Sequence, residues 1–112
     1  MQYALLFSYD PAEAEPAEAE IPEWMAFDQA VRDAGVLVHE AGLWPASTAR
    51  TVRVRDGETE TVDGGVSASG PVLAGYYVLD VADADAAADW ARKVPTATYG
   101  AVEVRPVVEF EG

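Results

Sequence analysis

The chain has no cysteine and a single histidine. The first absence removes disulfides, thiolate metal sites, iron–sulfur clusters and cysteine nucleophiles together. The second removes any metal site that needs several imidazoles from one chain. Positive charge is scarce as well: 7 Lys and Arg stand against 20 Asp and Glu, a formal net charge of −13. Gripping a phosphate backbone takes clustered cations, so no nucleic-acid partner is expected. An anionic membrane surface would repel so acidic a chain, and no apolar run approaches the length of a membrane span. No signal-peptide pattern is present. These absences lead to the expectation of a cytoplasmic protein with no metal, no cofactor and no membrane partner.

What the chain does have is enough apolar residue, 50% of 112, to build one core, so residues 1–112 are expected to form a single domain. The acidity is uneven. Asp10 to Glu23 carries six acids and no base, and contains the tandem repeat Pro11-Ala-Glu-Ala-Glu15 and Pro16-Ala-Glu-Ala-Glu20. Residues 10–21 read as a solvated, acidic low-complexity loop. The alternative is an acidic arm laid over a cleft.

Alternation and punctuation place the remaining elements. Tyr3, Leu5, Phe7 and Tyr9 share one face of a first strand, and the opposite face is also mostly apolar, as suits a central position. Pro22 opens a helix whose stripe is Trp24, Phe27, Val31 and Ala34, and Gly35 ends it. Val36–Glu40 is a second strand. Asp56-Gly57 between the β-runs 51–55 and 59–62 marks a hairpin. A small-residue loop, 63–71, leads into a strand over 73–81. Asp83 caps a second helix with the stripe Ala87, Trp90, Ala91 and Val94, stopped by Pro95. A strand over 102–108 closes the chain, and Pro106 assigns it to an edge or a bulge. With the hairpin set aside, the order is βαββαβ, the α+β split-βαβ or ferredoxin-like arrangement. Both helices then lie on one sheet face. The other face needs a cover, and a homodimer closed sheet against sheet is the simplest.

Several side chains are candidates for chemistry. His39, the lone imidazole, has the intrinsic pKa of a general base, or else is a strand-end residue facing water. Arg53 and Arg55 share a side of the hairpin. They could grip a carboxylate ligand bidentately, or pair across the hairpin with Glu58 and Glu60. Trp24 and Trp90 fall on core stripes. Trp44, before Pro45, walls a cleft or anchors a dimer. The loop Asp63-Gly64-Gly65 through Ser67-Ala-Ser-Gly70 lacks the spacing of a phosphate cradle or a nucleophile elbow.

From end to end, the chain resembles the YCII-related superfamily. The likeness rests on Met1-Gln-Tyr-Ala-Leu-Leu6, on Ala34-Gly-Val-Leu-Val38 with Gly42-Leu43 and Pro45, and on Ala49-Arg-Thr-Val-Arg-Val-Arg-Asp-Gly57 with Asp63-Gly64. It continues through Gly75-Tyr-Tyr-Val-Leu-Asp-Val81, Trp90-Ala91 with Pro95, and Val102-Glu-Val-Arg-Pro-Val107. More closely, it looks like the branch named for an Asp-Gly-Pro-Phe motif. The resemblance implies a ferredoxin-like subunit that pairs as a dimeric α/β barrel, with a small cleft near the motif loop and the inner sheet face. The chain departs from the motif after Asp63, with Gly65 for Pro, Val66 for Phe, Ala68 for an acid, Gly70 for Lys and Pro71 for Glu. The superfamily's proposed His–Asp pair falls on Trp24 and Val94, neither of which can move a proton as that pair would. The resulting expectation is a homodimer that binds a small organic molecule, anionic if the arginines are involved. Trp44, Arg53 and Tyr77 are the ligand-binding candidates, and His39 and Asp63 the catalytic ones. Two alternatives stand beside it. One is a cofactor-independent lyase or isomerase using His39 or Asp63, by analogy with related barrels. The other is a regulatory partner tied to an alternative sigma factor, as some relatives are.

Overall fold

The computed structural model of the chain describes residues 1–66 and 69–110. Ser67 and Ala68, in the loop expected over 63–71, lie outside the described residues, as do Glu111 and Gly112.

The first strand, β1 (Gln2–Tyr9), alternates as its sequence demands: Tyr3, Leu5 and Phe7 are buried and the residues between them are half-buried. Helix α1 (Ile21–Asp33) follows the acidic segment, with Pro22 in its first turn. Gly35, at φ +71°, ends it: its N–H donates to Arg32 O, and the N–H of Val36 reaches back to Val31 O. Strand β2 is Leu37–Gly42, and β3 (Arg50–Arg55) and β4 (Glu58–Asp63) form the hairpin. Its turn has Asp56 and Gly57 at φ 52° and 79°, the paired left-handed geometry that matches strand twist in a two-residue loop. Strand β5 (Val72–Asp80) leads to helix α2 (Ala84–Ala91), where the Asp83 carboxylate accepts from Ala86 N at 2.9 Å. Strand β6 (Ala101–Pro106) closes the chain.

The main sheet runs β2-β5-β1-β6, with every pairing antiparallel, and the hairpin stands apart as its own two-stranded sheet. This is the ferredoxin-like α+β order: β5 fills the gap left between β1 and β2. Pro106 sits on β6, an edge strand, where its missing N–H costs no ladder bond.

Helix α2 is shorter than its apolar stripe. It stops at Ala91, and Val94 is already extended (φ −66°, ψ 126°), because Pro95 excludes the helical region for the residue before it. The Val94 side chain still reaches the core from this turn and is 1% exposed. A 3-10 turn, Pro95–Thr98, then carries the chain to β6.

The core lies between the helices and one sheet face. It joins Leu5, Phe7, Tyr77 and Leu79 to Phe27, Val31, Ala87 and Ala91. Gly75 matters here for its lack of volume. A Cβ at this position would lie 2.7 Å from the Phe7 ring and 2.6 Å from Ala41 O. Among the described residues, no helix lies over the opposite sheet face. Ala4, Leu6, Tyr76 and Val78 are only half-buried there, and the molecule is 18 Å thick against 46 and 42 Å in its other dimensions.

Leu79 has no exposed surface, whereas Val52, on the hairpin, is 60% exposed. Urea unfolding is therefore expected to place Leu79→Ala about 2–5 kcal/mol below the parent chain, and Val52→Ala within about 0.5 kcal/mol of it. Equal effects at the two positions would contradict this placement of the core.

Candidate functional site

Helices of 13 and 8 residues do not roof the whole sheet. Where α1 begins and α2 has already ended, the helix-covered side opens into a cleft of about 420 Å³. Its wall is largely aromatic. Phe7 and Tyr77 rise from the central strands, Trp24 comes down from the first turn of α1, Tyr9 and Tyr99 close one side, and Trp44 stands at the mouth. The Trp24 ring lies 5.0 Å from that of Phe7. It is stacked nearly parallel on Tyr77 at 6.3 Å, with 7° between the planes. Tyr9 and Tyr99 meet edge to face at 6.2 Å.

Two carboxylates enter this aromatic wall, and each arrives there for a local structural reason. Glu20 is the last residue of the repeat and stands at the N-terminal boundary of α1, but its side chain does not cap the helix. Glu20 Oε2 instead accepts from the Trp24 indole N–H at 3.3 Å and from the Tyr99 hydroxyl at 3.2 Å. The 3-10 turn Glu18–Glu20 and the cleft-lining Pro16 bring the second repeat against the fold. The rest of the segment is exposed: of residues 11–19 only Ala14 is half-buried.

Glu40 owes its place to a register shift. Leu37 pairs with Leu79, but His39 pairs with Val78, so one extra residue sits between them on β2. Simple alternation from Leu37 would put His39 on the helix side. The bulge reverses this and sets Glu40 opposite Tyr77, in the cleft. Arg32 lies 3.8 Å from Glu40, but its Nε donates to Asp28 at the shorter distance of 2.7 Å. Asp28 in turn accepts from the Tyr77 hydroxyl at 3.3 Å.

Both phenols are hard to ionise. Burial, reinforced by the neighbouring Asp28 and Glu40 charges, pushes the Tyr77 hydroxyl well above the usual tyrosine range. Tyr99 is raised too, first by burial and then by its bond to Glu20, partly offset by Thr96.

The five residues singled out in the sequence fall in three places. Tyr77 and Trp44 line the cleft, Tyr77 at 5% exposure and Trp44 at 85%. Arg53 and Asp63 line a separate hollow of about 690 Å³ at the hairpin base, shared with Asp10 and Thr51. Arg53 faces Glu60 across the ladder and Arg55 faces Glu58, while Arg50 approaches Asp63 at 3.5 Å. His39 is exposed on the opposite sheet face, its ring 5.8 Å from that of Tyr76. His39 and Asp63 therefore share no site. Sequence reasoning missed Glu20, Glu40 and Tyr99, and read Trp24 as packing alone. The one signal available was the i, i+4 spacing of Glu20 and Trp24 at a helix start. Among the described residues, no group of three or more His, Asp and Glu side chains is placed to hold a metal ion. No helix among them is long and apolar enough to cross a membrane.

Comparison with known proteins adds two findings. A family model described as the YCII-related domain matches residues 1–111. An uncharacterized protein of Rhizobium meliloti (strain 1021) is 37% identical over 81 residues. The match covers 70% of this chain and 65% of that protein, so the chain spans less than two thirds of this relative's length.

The phenols give the fold a pH limit. A raised folded-state pKa means that the stabilisation is whole below about pH 10 and is lost as pH climbs through the folded value. The urea midpoint is expected to fall between pH 8 and pH 11, and Tyr77→Phe is expected to reduce that fall without abolishing it, since Tyr99 remains. An identical fall in both proteins would contradict the assigned environment of Tyr77.

Proposed function

The chain belongs to the YCII-related domain family, and we propose that it works as a homodimer, joined sheet to sheet, in which each subunit holds a small organic molecule in its aromatic cleft. The observation that carries the binding reading is the cleft itself. Its volume of about 420 Å³ falls in the range of small-molecule sites, and its wall is apolar and aromatic with a few fixed polar groups. Those polar groups are held in place before any ligand arrives. Glu20 is oriented by Trp24 and Tyr99, and Tyr77 is tied to Asp28. The catalytic reading loses its two named candidates, because His39 and Asp63 lie outside this cleft.

The dimer reading rests on the uncovered sheet face. Leu6, Tyr76 and Val78 leave an apolar surface there that a second copy would cover. The chain's shape agrees with half of a thicker unit. Its radius of gyration is 15.9 Å, against about 13 Å for a compact domain of this length.

Two measurements test the reading. In a thermal-shift screen of small aromatic fragments, some members raise Tm. Those shifts vanish in Trp44→Ala, whose exposed ring contributes little to folding, and survive His39→Ala and Arg53→Ala. A screen with no hits, or hits that need His39, overturns the cleft. Sedimentation at micromolar concentration gives about twice the 11.9 kDa chain mass, and Leu6→Glu gives the monomer. A monomeric parent chain overturns the sheet-to-sheet dimer.

A further inference from the structure

The chemistry of the cleft wall also says which ligands it can accept, given that it binds one at all. The inference rests on the binding reading above. Three of the wall's polar donors are already committed to carboxylates: Trp24 Nε1 and the Tyr99 hydroxyl to Glu20, and the Tyr77 hydroxyl to Asp28. An anionic ligand would find these donors occupied and would face Glu20 and Glu40 across the cleft. Among the described residues, none of those lining the cleft is Lys, Arg or His. The nearest guanidinium, Arg32, binds Asp28 more closely than it approaches Glu40.

The same wall suits a cation. Glu20 Oε2 takes both protein donors, which leaves Oε1 to accept from a ligand. Of the cleft's rings, Phe7 and Tyr77 are 5% exposed, whereas Trp24 is half-buried and Trp44 exposed; the negative side of these indole quadrupoles is what draws an ammonium group. The overall charge of −13 raises the local concentration of cations before they reach the cleft. The arginines that favoured an anion in the sequence belong to the hairpin, and Arg53 lines a different hollow. We propose that the aromatic cleft selects an organic ammonium ion with apolar or aromatic substituents, its charge held by Glu20 and Glu40 and its body against Trp24 and Trp44.

Titration calorimetry at 0.15 M salt, where attraction to the outer surface is largely screened, tests this with three probes of similar size: benzyltrimethylammonium, benzyl alcohol and phenylacetate. The cation is expected to bind at least about tenfold more tightly than the alcohol, with no measurable binding of phenylacetate. Glu20→Gln keeps an oxygen acceptor for Trp24 and Tyr99 while removing the charge. It is expected to weaken the cation about tenfold and leave the alcohol unchanged. Glu58→Gln, on the hairpin, is expected to change neither. If the cation and the alcohol bind alike and Glu20→Gln affects neither, the cleft binds ligands but the charge selection is overturned. If Glu58→Gln weakens the cation as much as Glu20→Gln does, the attraction belongs to the surface and the proposal is overturned. Failure of all three probes, together with an empty fragment screen, overturns both the selection and the binding reading beneath it.

Discussion

A four-stranded antiparallel sheet has two faces to cover, and this chain supplies helices for only one of them. Most of the structure follows from that constraint. Leu5, Phe7, Tyr77 and Leu79 turn toward α1 and α2 and form the core, while Leu6, Tyr76 and Val78 turn away and remain half-buried. The helical cover is also short. Helix α1 starts late, after the acidic segment, and α2 stops early, because Val94 cannot stay helical before Pro95. The cleft opens where the two shortfalls meet. Its floor is sheet, its sides are the residues that bring the chain into α1 and out of α2, and the absent side chain of Gly75 leaves room for the Phe7 ring beneath it.

The charge distribution makes sense once the cleft is recognised. Most of the 20 acids are solvated and do little for the fold, since exposed ion pairs such as Arg92–Asp89 contribute less than about 1 kcal/mol each. Glu20 and Glu40 differ because they are half-buried beside the aromatic rings of the cleft, where a charge acts more strongly than in bulk water. The Tyr77–Asp28–Arg32 chain ties α1 to β5, and burial, reinforced by the Asp28 and Glu40 charges, makes the Tyr77 phenol harder to ionise.

The parts of this architecture that depend on local chemistry were legible in the sequence. The alternation of β1, the Asp56-Gly57 turn, the Asp83 cap, the Gly35 stop and the edge placement of Pro106 each follow from one or two residues. The order of elements then led to the ferredoxin-like sheet. The site was legible only in part. Tyr77 and Trp44 were placed by strand phase and by an unexplained aromatic, but Glu40 was not. A β-bulge exchanges the two faces of a strand without leaving a mark in composition, and here it turns Glu40 toward the cleft and His39 toward the uncovered face. Glu20 was hidden for another reason. A repeat of Pro, Ala and Glu reads as solvated sequence, and only the packing of Trp24 and Tyr99 against its last residue gives that residue a role. Arg53 and Asp63 show the limit of arguing from residue type. Their charges drew attention, yet the hairpin that carries them forms a separate sheet beside a separate hollow.

The central claim is that ligands enter the aromatic cleft, and the chain's three tryptophans can report on it directly. Trp24 and Trp44 line the cleft, whereas Trp90 packs on the far side of Phe27 with the Lys93 ammonium over its ring. Fluorine NMR of protein labelled with 5-fluorotryptophan, titrated with benzyltrimethylammonium and with benzyl alcohol, would resolve the three rings separately. The account predicts saturable shifts of the Trp24 and Trp44 signals with Trp90 unmoved. Shifts confined to Trp90, or equal and unsaturable at all three rings, would contradict it.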